Sequence, residues 1–297
     1  MIDYHCHLLP GLDDGPQTLD EALEMARALV AFGFREVHCT PHCIVGHFEV
    51  SPVEVRAAVG RLQAEFNAVD IPLRLHPGME YYLDEGFERF AANLLPLGES
   101  RLVLCEAPSQ ARPAVVAAML ELIVVQGFIP LLAHPERSEV VWEMLENRQR
   151  ALAAEQTGGR PIAAEEPQTQ RPHRSPSFWR RWFSAGNPHG SASKDVSADR
   201  QSPALPQTTP ELPDGCLYQA NLGSFAGYYG DIPQRRAYEL LQRNGYDCFA
   251  SDLHDARSIP LCLEPAHEKL EFNPALQRLA AYHAPRGIAG SPQMAFW

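Results

Sequence analysis

The chain has 297 residues, 45% of them hydrophobic, which suits one large or two small domains with a substantial core. Its formal net charge of −12 argues against nonspecific nucleic-acid binding, which needs basic surface, but not against a phosphate ester held through metal ions. No stretch approaches the roughly 18 apolar residues of an integral membrane segment. The Met1–His5 start lacks the pattern of a secretion signal, and seven cysteines without framework spacing point to a reduced, cytoplasmic setting.

In chain order, Ile2–His5 reads as a strand. Thr18-Leu19-Asp20-Glu21 is a capping box that opens a helix, with Leu19, Ala22, Leu23, Ala26 and Val30 at helical spacing and Gly33 ending it. Glu36–Thr40 is the next strand. Ser51-Pro52-Val53-Glu54 is a second capping box, with proline at the first helical position. Leu73–His76 and Leu102–Cys105 read as strands. A helix from about Ala114 to Gln126 follows, then a buried strand over Ile129–Ala133. From Ala154 to Pro213 the chain is rich in Pro, Ser, Gln, Thr and Arg, the composition of a disordered insertion. Within it, Phe178-Trp179-Arg180-Arg181-Trp182-Phe183 is an aromatic-basic island, either a sticky piece of loop or a contact for a partner or membrane surface. Strands at Cys216–Ala220 and Asp247–Ala250 flank a helix over Pro233–Asn244, and Pro274–Tyr282 is a last helix. The expected division is residues 1–153 and 214–284 as one α/β unit, 154–213 as the insertion and 285–297 as a tail. About seven strands alternating with helices imply a parallel sheet.

Histidines and carboxylates collect just beyond the strands: His5, His7 and Asp13-Asp14, then His42, Glu80, Glu106, His134, and finally Asp252 and His254. If the strands form one closed barrel, these groups converge. Such a set suits Mn, Fe or Zn, and clustered ions clamp a phosphoryl group and generate hydroxide near neutral pH. Taken singly, His5 with His7 could be a satisfied structural pair, and Glu80 or Glu106 an ordinary solvated carboxylate. Two one-face pairs, His5/His7 and Asp252/His254, make the structural explanation harder to hold.

The run His5-Cys6-His7-Leu8-Leu9-Pro10-Gly11-Leu12-Asp13-Asp14-Gly15-Pro16 resembles the opening motif of the polymerase-and-histidinol-phosphatase (PHP) superfamily. It is most similar to the branch of bacterial protein-tyrosine phosphatases encoded with capsule and exopolysaccharide genes. Thr40-Pro41-His42, Gly78-Met79-Glu80-Tyr81-Tyr82, Ala133-His134-Pro135-Glu136-Arg137 and Ser251-Asp252-Leu253-His254 resemble the later motifs in order. The resemblance covers roughly residues 1–150 and 214–275. It implies a distorted seven-stranded (β/α) barrel with a three-ion site, usually active with Mn2+. By similarity, His5, His7, Glu80 and Asp252 hold one ion; bridging Glu80 with Glu106 and His134 a second; Asp14, His42 and His254 a third. Arg137 resembles the arginine that grips the substrate phosphate, though it could equally pair with a carboxylate, and Arg257 is a second candidate. Asp252 and His254 are possible proton carriers. The implied substrate is phosphotyrosine on a bacterial tyrosine kinase that controls polysaccharide export.

A cysteine-dependent phosphatase needs an arginine six positions after its nucleophile; no cysteine here has one, and Val45 stands there after Cys39. No phosphate loop of the nucleotide-binding type is present. An amidohydrolase-like enzyme would use a lysine ligand, and none precedes Lys194. A small phosphate ester such as histidinol phosphate as substrate, or a noncatalytic metal-binding scaffold, stays open.

Overall fold

The computed structural model describes residues 1–156 and 210–281, with side chains for all but 154–156. The Phe178–Phe183 island and the 285–297 tail lie outside the described residues. Residues 1–152 with 209–297 form one unit and 153–208 a second; the site lies wholly in the first.

Nine strand segments are described: β1 Ile2–Cys6, β2 Glu36–Cys39, β3 His42–Cys43, β4 Arg74–Pro77, β5 Glu80–Tyr82, β6 Leu102–Glu106, β7 Ile129–Ala133, β8 Leu217–Asn221 and β9 Cys248–Ala250. The helices are α1 Leu19–Phe32, α2 Pro52–Ala68, α3 Pro113–Val125, α4 Glu139–Gln156, α5 Leu222–Ala226, α6 Asp231–Gln242, α7 Glu264–Phe272 and α8 Pro274–Ala280. All pairings between these strands are parallel, in two sheets ordered β1-β2-β4 and β3-β5-β6-β7-β8-β9. This is an α/β fold, as the alternation of strands and helices requires. Beyond the end of β9, Asp252 N–H donates to His5 O at 2.8 Å and His7 N–H to Leu253 O at 3.1 Å, so the last strand runs on beside the first.

Side chains alternate across the strands. Tyr4, Leu102, Leu104, Leu131, Ala133, Leu217, Cys248 and Ala250 pack together on one face. Val103, Cys105, Leu132 and Phe249 face the other way, into the larger core beneath the helices.

Both capping boxes form: Thr18 with Glu21 on α1, and Ser51 with Glu54 on α2, where Pro52 holds the first turn. Gly33 closes α1 at φ 114°, a left-handed angle that glycine adopts without Cβ strain. The buried stripe of α1 is Ala22, Met25, Ala26, Leu29 and Phe32. The expected stripe is thus displaced: Leu19 is exposed and Leu23 and Val30 lie at its edges, because the seam centres on the longer Met25, Leu29 and Phe32.

The expectation of about seven strands becomes nine segments because two are interrupted. Thr40-Pro41 separates β2 from β3, and Gly78-Met79 separates β4 from β5. Pro41 brings no N–H to the ladder, yet its carbonyl accepts from Glu80 N–H at 3.1 Å, and His42 then pairs with Glu80 in β3–β5. The break turns both side chains toward one point. Order also extends further into the proposed insertion than composition implies. Helix α4 runs to Gln156, and Leu212 is already buried in the core.

Candidate metal centre

β1 sets the frame. His5 and His7 lie on one face of an extended segment, both fully buried, with their Nε2 atoms 2.9 Å apart. The opposite nitrogen of each ring is taken: His5 Nδ1 lies 3.1 Å from Gln219 Oε1, and His7 Nδ1 2.6 Å from Asp13 Oδ2. The Gln219 amide nitrogen donates to Ala220 O, which orients Oε1 toward the ring. Both acceptors select the tautomer that carries its proton on Nδ1. The two Nε2 atoms then face each other.

Glu80 approaches both rings. Its Oε2 lies 2.9 Å from His42 Nδ1, 3.2 Å from His5 Nε2 and 3.3 Å from His7 Nε2, and its Oε1 3.3 Å from His134 Nε2. Despite these four imidazoles, neither oxygen of the buried carboxylate has a hydrogen-bond partner. Asp252 adds Oδ1 at 3.2 Å from His5 Nε2 and 3.5 Å from His7 Nε2. Its Oδ2 accepts from Arg137 Nη1 at 2.5 Å and Asn221 Nδ2 at 2.7 Å. On the outer side, Asp14 Oδ1 lies 3.6 Å from His42 Nε2 and 3.5 Å from His254 Nε2, again without a hydrogen-bond partner. His254 stacks on His7 with centroids 3.8 Å apart and turns its Nδ1 to Asp252 O at 3.0 Å.

Three donor groups emerge: His5, His7 and Glu80; His42, Glu80 and Glu106; and His7, Asp14, His42 and His254. Buried ring nitrogens and carboxylates converge, an arrangement that costs several kcal/mol per buried ion unless protons or metal cations compensate it. The residues present therefore fit bound metal ions, with nitrogen and oxygen donors suited to Mn, Fe or Zn.

Taken by themselves, the carboxylates draw protons onto three of the rings: burial pushes His5, His7 and His42 down, but Glu80 and Asp252 raise His5, Asp13 raises His7 well above its ordinary value and Glu80 raises His42 to about 9. Bound metal ions would displace these protons. Burial pushes the Glu80 carboxyl up, but His5 and His42 outweigh it and hold it well below the usual carboxylate range. Burial likewise raises Asp252, and His5, His7 and Arg137 more than reverse this. Both are ionised at neutral pH. Burial, with His7 alongside, draws His254 down to about 4, leaving a neutral imidazole able to ligate.

Backbone strain marks the same place. His134 and Asp252 have φ of 33° and 51°, left-handed angles rarely adopted away from glycine. Their amides are anchored, His134 N–H to Gln219 O at 3.0 Å and Asp252 N–H to His5 O at 2.8 Å.

All nine residues expected to bind metal fall in this cluster, but in different groupings. His42 stands beside Glu80 and Glu106, and His134 reaches Glu106 only at 4.0 Å. His7 joins the outer group. Arg137 lies at the edge of the cluster. Arg257 does not join it: its side chain is 91% exposed and its ion pair is to Asp255, at 3.7 Å. Sequence reasoning missed Gln219 and Asn221 as buried partners of the site. Their signal is there to read, as two amides at alternate positions of an otherwise apolar strand. It also missed Asp3, which holds β1 to the end of β9 by accepting from Ser251 Oγ at 2.5 Å and Ser251 N–H at 3.0 Å.

Comparison with known proteins follows the same line. Residues 1–155 match the family described as capsular polysaccharide synthesis, CpsB/CapC. The chain belongs to this CpsB/CapC family. Among curated relatives, the tyrosine-protein phosphatase YwqE of Bacillus subtilis is 37% identical over 145 residues, covering 48% of this chain and 57% of that protein. The tyrosine-protein phosphatase CpsB of Streptococcus agalactiae is 28% identical over 156 residues, covering 51% of this chain and 62% of that protein. The aligned stretch thus spans less than two thirds of either relative. Over the whole fold, a structure from the study of YwqE from Bacillus subtilis and CpsB from Streptococcus pneumoniae, described as unique metal-dependent tyrosine phosphatases, superposes with a TM-score of 0.65. It has 25% sequence identity and covers 94% of this chain and 91% of that one. The CpsB/CapC match ends within α4, and Asp252 and His254 of the same cluster lie far beyond it.

Proposed function

We propose that this CpsB/CapC chain is a metal-dependent protein-tyrosine phosphatase with a three-ion centre, normally loaded with manganese. Its proposed substrate is phosphotyrosine on a bacterial tyrosine kinase of polysaccharide export. The observation that carries the reading is the buried Glu80 carboxylate, ringed by four imidazoles at 2.9–3.3 Å with neither oxygen hydrogen-bonded. The fold is read as a distorted (β/α) barrel. That is supported by the β1–β9 backbone contacts and by counting β2 with β3, and β4 with β5, as single interrupted staves, which reduces nine segments to seven.

By the resemblance, His5, His7, Glu80 and Asp252 would hold one ion, Glu80 with Glu106 and His134 a second, and Asp14, His42 and His254 a third; the nearest donors would add His42 beside Glu80 and Glu106, and His7 beside the outer group. Bound ions supply Lewis acidity toward the phosphoryl oxygens and hydroxide near neutral pH. The chain orients these groups: Gln219 and Asp13 fix the His5 and His7 tautomers, and Asn221 fixes Asp252. Arg137 presents a planar guanidinium beside Asp252 for the phosphoryl group. Asp252 and His254 are the proposed proton carriers; Asp252, held ionised, would first have to take up a proton before giving one to the departing oxygen. A tyrosine phenolate, with a pKa of about 10, departs with little such help. Action in the cytoplasm is supported by all seven cysteines being unpaired and buried. Among the described residues no helix is long and apolar enough to cross a membrane.

The deciding assay is phosphate release from a phosphotyrosine peptide by manganese-loaded protein, by chelator-stripped protein and by His134→Ala. Release that needs metal and is lost in the variant supports the reading. A folded, loaded protein that releases nothing overturns it.

A further inference from the structure

Beyond the ligands, one aromatic residue touches the phosphate-facing side of the centre. The Arg137 guanidinium carbon lies 4.0 Å from the centroid of the Tyr229 ring, which it covers. The Tyr229 hydroxyl reaches Asp252 Oδ2 at 3.4 Å and Asn221 Nδ2 at 3.5 Å. Arg137 is thus held from two sides, by the ring beneath it and by Asp252 Oδ2 at 2.5 Å.

The chain builds this seat deliberately. Tyr229 stands in a turn between Gly227 and Gly230, at φ 82° and 95°. Gly223 lies behind the ring: a Cβ there would come within 2.9 Å of Tyr229 Cε2. The Asn221 side chain accepts from Gly223 N–H at 2.8 Å and donates to Asp252, so one asparagine links the seat to the centre.

We propose that Tyr229 is a positioning residue whose ring face holds Arg137 flat and aimed at the substrate phosphoryl group. This rests on the reading that Arg137 grips that group. An aromatic face strengthens a guanidinium's hold where water is excluded and restricts the planar fork to one orientation. Without the ring, Arg137 keeps its charge but loses its direction. The cost then falls on phosphate affinity and not on metal loading, since Tyr229 approaches Asp252 only at Oδ2, 3.4 Å away, and not at the Oδ1 that faces His5 and His7.

The test uses the full chain loaded with manganese. Inorganic phosphate affinity is measured by calorimetry, so that it does not depend on turnover, alongside KM and kcat on a phosphotyrosine peptide, bound manganese and Tm. The variants are Tyr229→Phe, Tyr229→Leu, Arg137→Ala and the double Tyr229→Leu/Arg137→Ala. Tyr229→Leu should weaken phosphate binding and raise KM by roughly 2- to 30-fold, the range of a partly desolvated cation–π contact, with manganese content unchanged. Tyr229→Phe, which keeps the face, should stay within about 2-fold of wild type by the same reasoning. In the Arg137→Ala background Tyr229→Leu should have no further effect on phosphate affinity. An equal loss in that background, or a loss of manganese, would overturn the proposal. If Arg137→Ala weakens phosphate binding and Tyr229→Leu does not, the proposal fails and the role of Arg137 stands. If Arg137→Ala itself leaves phosphate affinity unchanged, both fall.

Discussion

His7 Nδ1 and Asp13 Oδ2 stand 2.6 Å apart, both buried, and that contact directs the other nitrogen of His7 at Glu80. The same Asp13 oxygen accepts the His42 backbone N–H at 3.0 Å. One carboxylate outside the donor groups therefore aims a ligand of β1 and fixes the backbone of β3. Asp13→Asn offers an amide that can present its NH2 to His7 and flip the tautomer. It should weaken metal binding by about 10- to 100-fold with the fold intact, the usual cost of losing a partner behind a ligating histidine. Manganese titration of the stripped variant measures this; unchanged affinity would remove Asp13 from the account.

Gly15 is needed for space, not for an unusual angle. A Cβ there would lie 2.5 Å from His7 O and 3.0 Å from Asp13 Oδ1. The first is backbone and cannot swing away. Gly15→Ala should lower both Tm and metal content, whereas Gly11→Ala, where a Cβ meets nothing within 4 Å, should leave metal content near wild type despite its strained φ of 72°. Paired melting curves and metal analyses separate the two.

Glu80→Gln keeps the shape of the side chain and removes the charge that four imidazoles face. Metal content should fall and turnover drop by at least about 10³-fold, because the residue lies in two of the three donor groups. The folded state should survive. A variant that keeps its metal and its activity would show that the carboxylate is not a ligand.

Metal should also stabilise the protein, since a site of converging acceptors exists only in the folded chain. At free manganese 100-fold above its dissociation constant, linkage adds about 2.7 kcal/mol per site. Tm should therefore climb with manganese in the wild type and stay flat in Glu80→Gln. Equal climbs would assign the effect to other sites.

His38 is expected to carry an acid response away from the centre. Its ring stacks between Tyr4 at 5.4 Å and His76 at 5.0 Å, with Nδ1 unpartnered. Burial, with His76 adding repulsion, holds its pKa down to about 3 from the ordinary 6.5. Between those values the unfolded chain binds a proton that the folded chain does not. The His38 contribution is therefore intact above 6.5 and lost as pH falls toward 3. By pH 4 the loss approaches about 3 kcal/mol. His38→Leu should flatten the fall of Tm between pH 6.5 and 4; an unchanged slope would place acid sensitivity elsewhere.

Much of this was legible before the fold. The capping boxes Thr18–Glu21 and Ser51–Glu54 form as local chemistry requires, because their partners are three residues apart. The nine candidate donors were legible by residue type and by position beyond the strands, and the fold gathers them in one cluster. The grouping of donors was not, because it depends on how Pro41 and Gly78-Met79 break two strands and turn His42 and Glu80 together. Arg257 has the chemistry of a phosphate-binding residue, but its short 3-10 turn aims it at solvent.

The parallel α/β class was written in apolar runs at strand length alternating with capped helices, and the candidate chemistry in the side chains that stand beyond the strands. Packing alone set which ring nitrogens face one another and which carboxylate oxygen turns inward. It also decided that Tyr229, 92 positions from Arg137 in the chain, lies beneath its guanidinium. Residue type and local spacing are properties of the chain. Convergence is a property of packing, in which residues as distant as His5 and Asp252 are joined by backbone hydrogen bonds that no local pattern encodes.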